Sequence, residues 1–492
     1  MTMRIERDSL GELEVPMDAY YGVQTQRAVS NFPISGQPMP REFIVAMAII
    51  KKAAAVVNRE LRLLDGRLAD AIAQACKEII DGAEWAWGGG ESKAPRGSVV
   101  VEHRSMNQFP VDVYQTGSGT STNMNVNEVV ASRANEILGG KRGDKSPVHP
   151  NDHVNMGQSS NDVIPTALQV MTAVLIQDQL WPAIGQLRDS LQAQSEKLWS
   201  VIKTGRTHLQ DATPIRLGQE FSGFVDQMKR STYRASVALE EVQMVPLGGT
   251  AVGTGINTHK EFASRVCREI TKDARVEVAG FEDITYEIRE AENHFWPQAT
   301  LDAAVATHGE LKGIAVSLTK IVNDIRWMGS GPRAGLGEIE LPAVQPGSSI
   351  MPGKVNPVIC ESVLMVCQRV IGNDAAMTAA GSGNNFELAM SMPLAAVLLH
   401  ESITLLAAAC GNLATQCIDG IKPTTRGPEL VEKGLMLATA LAPVIGYEKA
   451  AEIAKEAAKT GRTIREVARE KTSLSEDELT KLLDPTAMVD AK

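Results

Sequence analysis

The feature that most restricts the fold of this chain is an apolar register in residues 311–328. Leu311, Ile314, Leu318, Ile321, Ile325 and Met328 recur at steps of 3, 4, 3, 4 and 3. That spacing puts all six on one stripe of a helix, an a/d seam that a neighbouring helix must cover. Ile184, Leu187, Leu191 and Leu198 keep the same phase, with Gln194 interrupting, and Leu217, Phe221, Phe224 and Met228 step by 4, 3 and 4. Residues 358–375 and 394–415 are two further apolar-rich helical stretches. Long helices cannot bury such stripes alone. Five of them predict a mainly α fold around a central bundle, with at least one face meeting another subunit. Aromatic residues are only 4% of the chain, which favours helix packing over sandwich cores.

At 492 residues the chain exceeds one ordinary core. Three domains are expected: an N-terminal domain over 1–156, the central five-helix bundle over 157–420, and a small helical C-terminal domain over 421–492. Residues 5–36 are mixed and turn-rich, and 41–86 read as two or three amphipathic helices. A helix at about 123–138 should stop at Gly139-Gly140. Ser159 or Ser160 should cap the first bundle helix, and Pro182 should bend it. Past residue 420 the helices shorten, to 428–443, 447–458 and 462–470. WGGGESKAPRGSVVVEHRS (87–105) breaks the helical pattern and reads as an exposed excursion.

The formal charge of −10 argues against nucleic acid, whose phosphates need a basic footprint. It also means that an anionic ligand needs a locally positive pocket. Cys76, Cys267, Cys360, Cys367, Cys410 and Cys417 form no CxxC pair, so reduced thiols in a cytoplasmic protein are expected. The opening MTMRIERDSLGELEVP lacks an apolar segment and carries acids early, unlike a signal or transit peptide. No apolar run reaches ~18 residues without a charged or polar break, so no membrane span is expected.

Four polar clusters interrupt the pattern: QTGSGTSTNMN (115–125), HPNDHVNMGQSSND (149–162), GRTHLQDATP (205–214) and GSSIMPGKVNP (347–357). Each is expected where a helix begins or ends. Their Ser, Thr and Asn side chains bind carboxylate oxygens without adding charge, and helix N-termini favour anions. Each also has a plainer reading: TGSGT as a turn, SSN as a helix cap, His208 as a structural histidine. His149, Asp152 and His153 resemble a zinc pattern, but Pro150 sits inside it and no third ligand is evident, so no metal is expected. GGTAVGTG (248–255) lacks the Gly-Lys-Ser/Thr ending of a phosphate loop. GSSIMPGKVNP itself can be neither helix nor strand, because glycines and prolines punctuate it.

Taken together, the clusters carry a resemblance. GSSIMPGKVNP resembles, residue for residue, the signature loop of the fumarase/aspartase superfamily, which includes argininosuccinate lyase and adenylosuccinate lyase. The resemblance runs from RIERDSLGELEVP to IGYEKAAEIAKEAAKTGRTIREVA. QTGSGT, SSND, GRTHLQDATP, GTGINTHKEF and GNNFEL are similar to class II fumarase versions. Aspartases typically carry Gln where this chain has His208, which weighs against an aspartate ammonia-lyase. A non-enzymatic, crystallin-like scaffold would be free to lose Ser348, Lys354 or His208, and all three are present.

The resemblance implies a three-domain fold whose tetramer holds a twenty-helix bundle, with active sites assembled from three chains of the homotetramer. It implies reversible hydration of fumarate to L-malate, a tricarboxylic acid cycle reaction, with no cofactor and no metal. Ser348 matches the residue that takes the C3 proton, His208 the one that protonates the departing hydroxyl, and Glu361 the acidic partner of that histidine. Ser118, Gly119, Thr120, Ser159, Ser160, Asn161, Thr207, Ser349, Lys354, Val355 and Asn356 match the substrate pocket. His149, Asn151 and Asp152 match a second, non-catalytic anion site, although Ser146 stands where that site usually has arginine. The 87–105 excursion falls outside the catalytic matches. Replacing residues 89–99 with a short Gly/Ser linker should therefore leave turnover within a few-fold of the parent. A loss of several orders of magnitude in a folded protein would place the excursion at the site.

Overall fold

The structure, a computed structural model, describes residues 2–83, 86, 107–274, 287–347 and 349–490. The 87–105 excursion and Ser348 lie outside the described residues. The chain divides into two compact units. One comprises residues 1–182, 233–315 and 368–408, and the other 183–232, 316–367 and 409–492. The cuts fall inside five helices.

The first unit opens with a hairpin, β1 (Met3–Asp8) and β2 (Gly11–Pro16), in register from Met3↔Pro16 to Asp8↔Gly11. Sequence patterning had only marked this region as turn-rich. Helix α1 (Val23–Asn31) has no side-chain cap of its own. Its first N–H groups instead donate to the buried carboxylate of Glu128, from Gly22 N (2.9 Å) and Thr25 N (3.1 Å). Helix α2 (Arg41–Glu60) is buried along most of its length, and α3 (Gly66–Ile80) packs on it with Asp65 as its N-cap. Helix α4 (Thr120–Ile137) starts three residues before the expected position, after Gly119. It stops where expected: Gly139 turns into the left-handed region at φ +90°, and Gly140 N donates to Asn135 O.

Ser159 is the cap of α5 (Ser160–Leu175). Pro182 was expected to bend the helix. What precedes it is a π turn at Ile176–Leu180 that joins α5 to α6 (Trp181–Lys197) with helical backbone angles at both junctions. Proline has no N–H to continue the ladder and crowds the carbonyl one turn back, so the backbone widens ahead of it. The first unit also holds α8 (Phe262–Ala274) and α9 (Phe295–Ala299), with a short parallel pair, β5 (Met244–Val245) and β6 (Arg289–Glu290).

Helices α7 (Leu217–Glu241), α10 (Asp302–Met328), α11 (Val358–Ser382) and α12 (Met392–Gln416) each have residues in both units. All six seam residues of α10 are buried, from Leu311 to Met328, as are Ile184, Leu187, Leu191, Leu198, Leu217, Phe221, Phe224 and Met228. Gln194 interrupts the α6 stripe without loss, because its buried amide donates to Ile418 O at 2.7 Å. The stretch Met392–Gly420 is long and apolar enough to cross a bilayer by composition, yet most of it is buried inside the protein. Its apolarity belongs to a core helix.

The second unit begins with another hairpin, β3 (Ile202–Thr207) and β4 (Gln210–Arg216), and has a short antiparallel pair, β7 (Ile339–Glu340) and β8 (Lys422–Pro423). The helix expected at 428–443 is broken into α13 (Arg426–Lys433), a 3-10 stretch at Leu435–Leu441 and α14 (Ala442–Ile445). The break falls at Gly434, whose backbone is extended (φ −68°, ψ 125°), and glycine is a weak helix former. Helices α15 (Tyr447–Thr460) and α16 (Ile464–Lys471) follow as expected, and α17 (Glu476–Leu482), capped by Ser475, was not foreseen. These segments enclose their own core, including Leu441, Ile453, Val467 and Leu479.

The buried seam supplies a direct test. Leu318 is fully buried at its centre. Leu318→Ala should lower unfolding stability by about 2–5 kcal/mol through lost transfer and an unfilled cavity. Denaturant titration at fixed protein concentration reads this, and an unchanged midpoint would remove Leu318 from the core.

Candidate active site

In the first unit the structure brings together two of the expected site segments. Gly119 heads α4 at φ +70°, and a Cβ there would lie 2.9 Å from the Ile164 side chain, so the turn needs glycine on both counts. Ser118 Oγ and Thr120 Oγ1 are 2.9 Å apart, while Thr116 and Gln115 satisfy the next N–H groups at Ser121 and Thr122. At the head of α5, Ser159 Oγ accepts from Asn161 N (3.2 Å) and Ser159 N donates to Asp162 Oδ1 (2.9 Å). The two heads are joined by Asn123 Nδ2, which donates to Ser160 Oγ at 2.9 Å. Asn161 Nδ2 donates to Ala251 O, which ties this turn to the 248–255 loop.

That loop is where patterning stopped short. Its N–H groups do hold a carboxylate, but it is the protein's own: Gly248 N (3.0 Å) and Thr250 N (2.9 Å) donate to Asp162 Oδ2. Asp162 is completely buried, and desolvation pushes its carboxyl up to about 6 despite these donors. The SSND motif contained Asp162, but nothing in it distinguishes a capping aspartate from one that also gathers a distant loop.

The expected secondary anion residues occupy a π turn, Pro150–Val154. His149 N donates to His153 Nδ1 (2.9 Å) and Asp152 N to His149 Nδ1 (3.3 Å), so one nitrogen of each ring is spent locally. Asn151 and Asp152 are exposed. Lys145, adjacent to Ser146, reaches Arg7 O (3.3 Å) and Glu6 (3.8 Å).

In the second unit, GRTHLQDATP was expected at a helix end. It forms the turn of the β3–β4 hairpin. Thr207 pairs with Gln210, and the two residues between, His208 and Leu209, both sit at positive φ, 55° and 59°. Two-residue hairpin turns with both φ positive normally use Asn-Gly or Asp-Gly. A histidine and a leucine give no such signal, so this turn was not legible. A non-glycine backbone in this region is uncommon and costs free energy, which the surroundings must offset. Thr207, His208 and Leu209 are exposed at the tip.

The offset lies at the base of the hairpin. Arg206 makes a two-pronged bond to Glu338 (2.8 and 3.0 Å), and Lys203 Nζ lies 2.9 Å from Glu338 and 2.7 Å from Glu220. Lys203 and Glu338 are almost wholly buried. Burial disfavours the Arg206 charge, but the bond to Glu338 together with the fields of Glu338, Asp211 and Glu220 outweighs it and raises the guanidinium pKa. None of these four charges was singled out from the sequence.

The loop after residue 347 is neither helix nor strand, as expected, and leads into α11. Asn356 Nδ2 donates to Gly347 O (2.8 Å) and closes it into a ring. A Cβ on Gly347 would fall 1.9 Å from Lys354 O, so only glycine allows this closure. Ser349, Lys354 and Val355 are exposed and Asn356 is half-buried. Glu361 lies in the first turn of α11, exposed, and makes no hydrogen bond to His208 within the chain. Among the described residues no group of three or more His, Cys, Asp or Glu side chains is arranged to hold a metal ion.

Comparison with known proteins covers nearly the whole chain. A lyase family model matches residues 11–87 and 96–372, and a fumarase C C-terminal model matches 437–490. A class II fumarate hydratase of Methylorubrum extorquens is 46% identical over 487 residues, 99% of this chain and 97% of its own. Among solved structures, a class II fumarase of Schistosoma mansoni superposes with a TM-score of 0.91 at 37% identity, covering 99% of each chain. A fumarate lyase:delta crystallin of Brucella melitensis gives 0.89 at 45% identity over all of both chains. The fold and the matched models define a helical lyase of the fumarase type. This chain belongs to the class II fumarate hydratase family.

The charge cluster beneath His208 can be tested by itself. Glu338→Gln takes the carboxylate from Arg206 and leaves Lys203 with Glu220 alone; breaking a buried pair in this way typically costs about 3–5 kcal/mol. Chemical denaturation should show that loss, and hydrogen exchange should speed up at the hairpin amides between Thr204 and Ile215. Unchanged exchange there would mean that the cluster does not brace the turn.

Proposed function

We propose that this chain is a fumarate hydratase, a hydro-lyase that interconverts fumarate and L-malate. The observation that carries this reading is its 46% identity to a class II fumarate hydratase over almost the full length of both chains. The chemistry of the expected residues supports it. Dehydrating malate requires removal of a C–H proton beside a carboxylate, and the resulting dianionic aci-carboxylate needs fixed donors and cations. In this reading Ser348 takes the C3 proton. Neighbouring N–H groups and Lys354 stabilise its anion, since a free serine is too weak a base. His208 protonates the departing hydroxyl, directly or through a water, a role suited to a side chain that ionises near neutrality. Glu361 keeps the imidazole oriented and charged. Ser118, Gly119, Thr120, Ser159, Ser160, Asn161, Thr207, Ser349, Lys354, Val355 and Asn356 hold the two carboxylates, and the glycines of the 347–357 loop let it close over them.

The reading includes a homotetramer with shared sites. Two features support it. Glu361 and His208 have no bond to one another within a chain, and both are exposed. Large apolar side chains also stand exposed along the long helices, among them Val316 and Trp327 on α10 and Met365 on α11, and such a patch calls for a covering surface. The six thiols are all free and buried, which supports a reducing, cytoplasmic setting.

The test follows fumarate formation from L-malate by ultraviolet absorbance, with ammonia release from L-aspartate as the control for an ammonia-lyase. Absence of the first signal in a folded preparation sinks the assignment. Ser348→Ala should lower turnover by about 10²–10⁴-fold or more and abolish exchange of the C3 proton. His208→Asn should slow dehydration while leaving some of that exchange. Exchange at the parent rate in Ser348→Ala would move the base role to His208. Mixing the two variants should restore activity in hybrids if sites are shared.

A further inference from the structure

In the first unit a buried lysine stands outside the residues matched to the site. Lys51 lies at the middle of α2 with no exposed surface. Its ammonium donates to Asn155 Oδ1 at 2.8 Å, and among the described residues it makes no ion pair. The same oxygen also receives Asn123 Nδ2 (3.3 Å) and Asn127 Nδ2 (3.2 Å). The other face of this cluster is left open: Asn123 Oδ1 and Asn127 Oδ1 are buried without a partner. Burial pushes the Lys51 ammonium down to about 7, and the field of Asp162 acts against that shift. A buried lysine bonded directly only to an amide is costly, since a buried charge normally demands a paired carboxylate, and Asp162 acts on it through its field without a direct ion pair.

The cost has a use on the substrate side. Asn123 donates to Asn155 and also to Ser160 Oγ, so the chain Lys51–Asn155–Asn123–Ser160 connects the buried cation to the head of α5. Ser160 Oγ accepts from Asn123, and among the described residues its own hydroxyl proton is not donated to any group. That proton is therefore free for an outside acceptor. The first-unit segments expected to hold substrate, Ser118–Thr120 and Ser159–Asn161, contain no cationic side chain. In a chain of formal charge −10 a dianion needs one nearby.

We propose that Lys51 is a positioning residue for dicarboxylate binding. It supplies positive charge one layer behind the Ser159–Ser160–Asn161 turn and, through Asn155 and Asn123, fixes Ser160 as a hydrogen-bond donor to a substrate carboxylate. This deepens the fumarate hydratase reading and rests on it for the substrate class.

The experiment compares parent, Lys51→Met and Lys51→Gln. It measures kcat and KM for L-malate and inhibition by succinate, a dianion, and butyrate, a monoanion, with succinate binding followed by calorimetry. Lys51→Met removes the charge at similar volume, and Lys51→Gln retains a donor without charge. Both should raise the malate KM and the succinate inhibition constant on the order of tenfold, with kcat changed far less and butyrate inhibition little altered. Asn123→Ala should weaken succinate binding too, and its combination with Lys51→Met should cost less than the two changes added. If Lys51→Met does not fold, Lys51→Gln and Asn123→Ala carry the same comparison. A purely structural lysine would lower the unfolding midpoint and leave the preference for succinate over butyrate intact, and that result overturns the proposal. A parent without turnover fails the activity reading instead, and succinate calorimetry on parent and variants still decides the role of Lys51.

Discussion

The long helices must bury a continuous apolar stripe, and the rest of the molecule is arranged around that requirement. From Leu311 to Met328 every seam residue of α10 is out of water, and α6 and α7 carry matching buried rows. At roughly 25 cal/mol per Å² of apolar surface, several such stripes outweigh any single polar contact described above. Because their interiors are close-packed, these helices leave little room for polar chemistry along their length. The candidate site residues accordingly lie where helices start and in the loops between them. Ser118–Thr120 head α4, Ser159–Asn161 head α5, the 347–357 loop runs into α11, and His208 sits on a hairpin ahead of α7.

Charge is then buried in a few places, and three of them lie close to these polar segments. Asp162 holds the α5 head to the 248–250 backbone through three N–H donors. Glu338 collects Arg206 and Lys203 beneath the His208 turn. Lys51 donates to the Asn155 amide, which Asn123 and Asn127 also bond, and feels the field of Asp162. Such burial contributes little to net stability, because desolvation offsets most of the attraction. What it provides is geometry: a bond made in a low dielectric has few alternatives, so the backbone it anchors has few as well. A hydratase acting on a dianion needs that rigidity, since donors aimed in advance do not have to reorganise as charge develops.

Much of the architecture was legible from periodicity and punctuation. The seams of α6, α7 and α10, the stop at Gly139-Gly140, the Ser159 cap and the irregular 347–357 loop all follow from rules acting within one or two turns of chain. The GSSIMPGKVNP loop was also enough to suggest the superfamily, because its glycines, serines, lysine and asparagine have little reason to occur together otherwise. The amino-acid order thus determined the helical class and most of the candidate residues.

What folding alone settled is longer in range. His208-Leu209 adopts a hairpin turn whose residue chemistry argues against it, because pairing of β3 with β4 and the Arg206–Glu338 bond hold it there. Glu338 is 132 residues from Arg206, and no local pattern links them. Lys51 and Asn155 are 104 residues apart, and Asp162 and Thr250 are 88 apart. A lysine in an apolar helix, an asparagine in a loop and an aspartate at a cap each read as ordinary in sequence. They become partners of distant groups only when separate segments are brought within hydrogen-bond distance, and that depends on how whole helices pack, which no short window of sequence encodes.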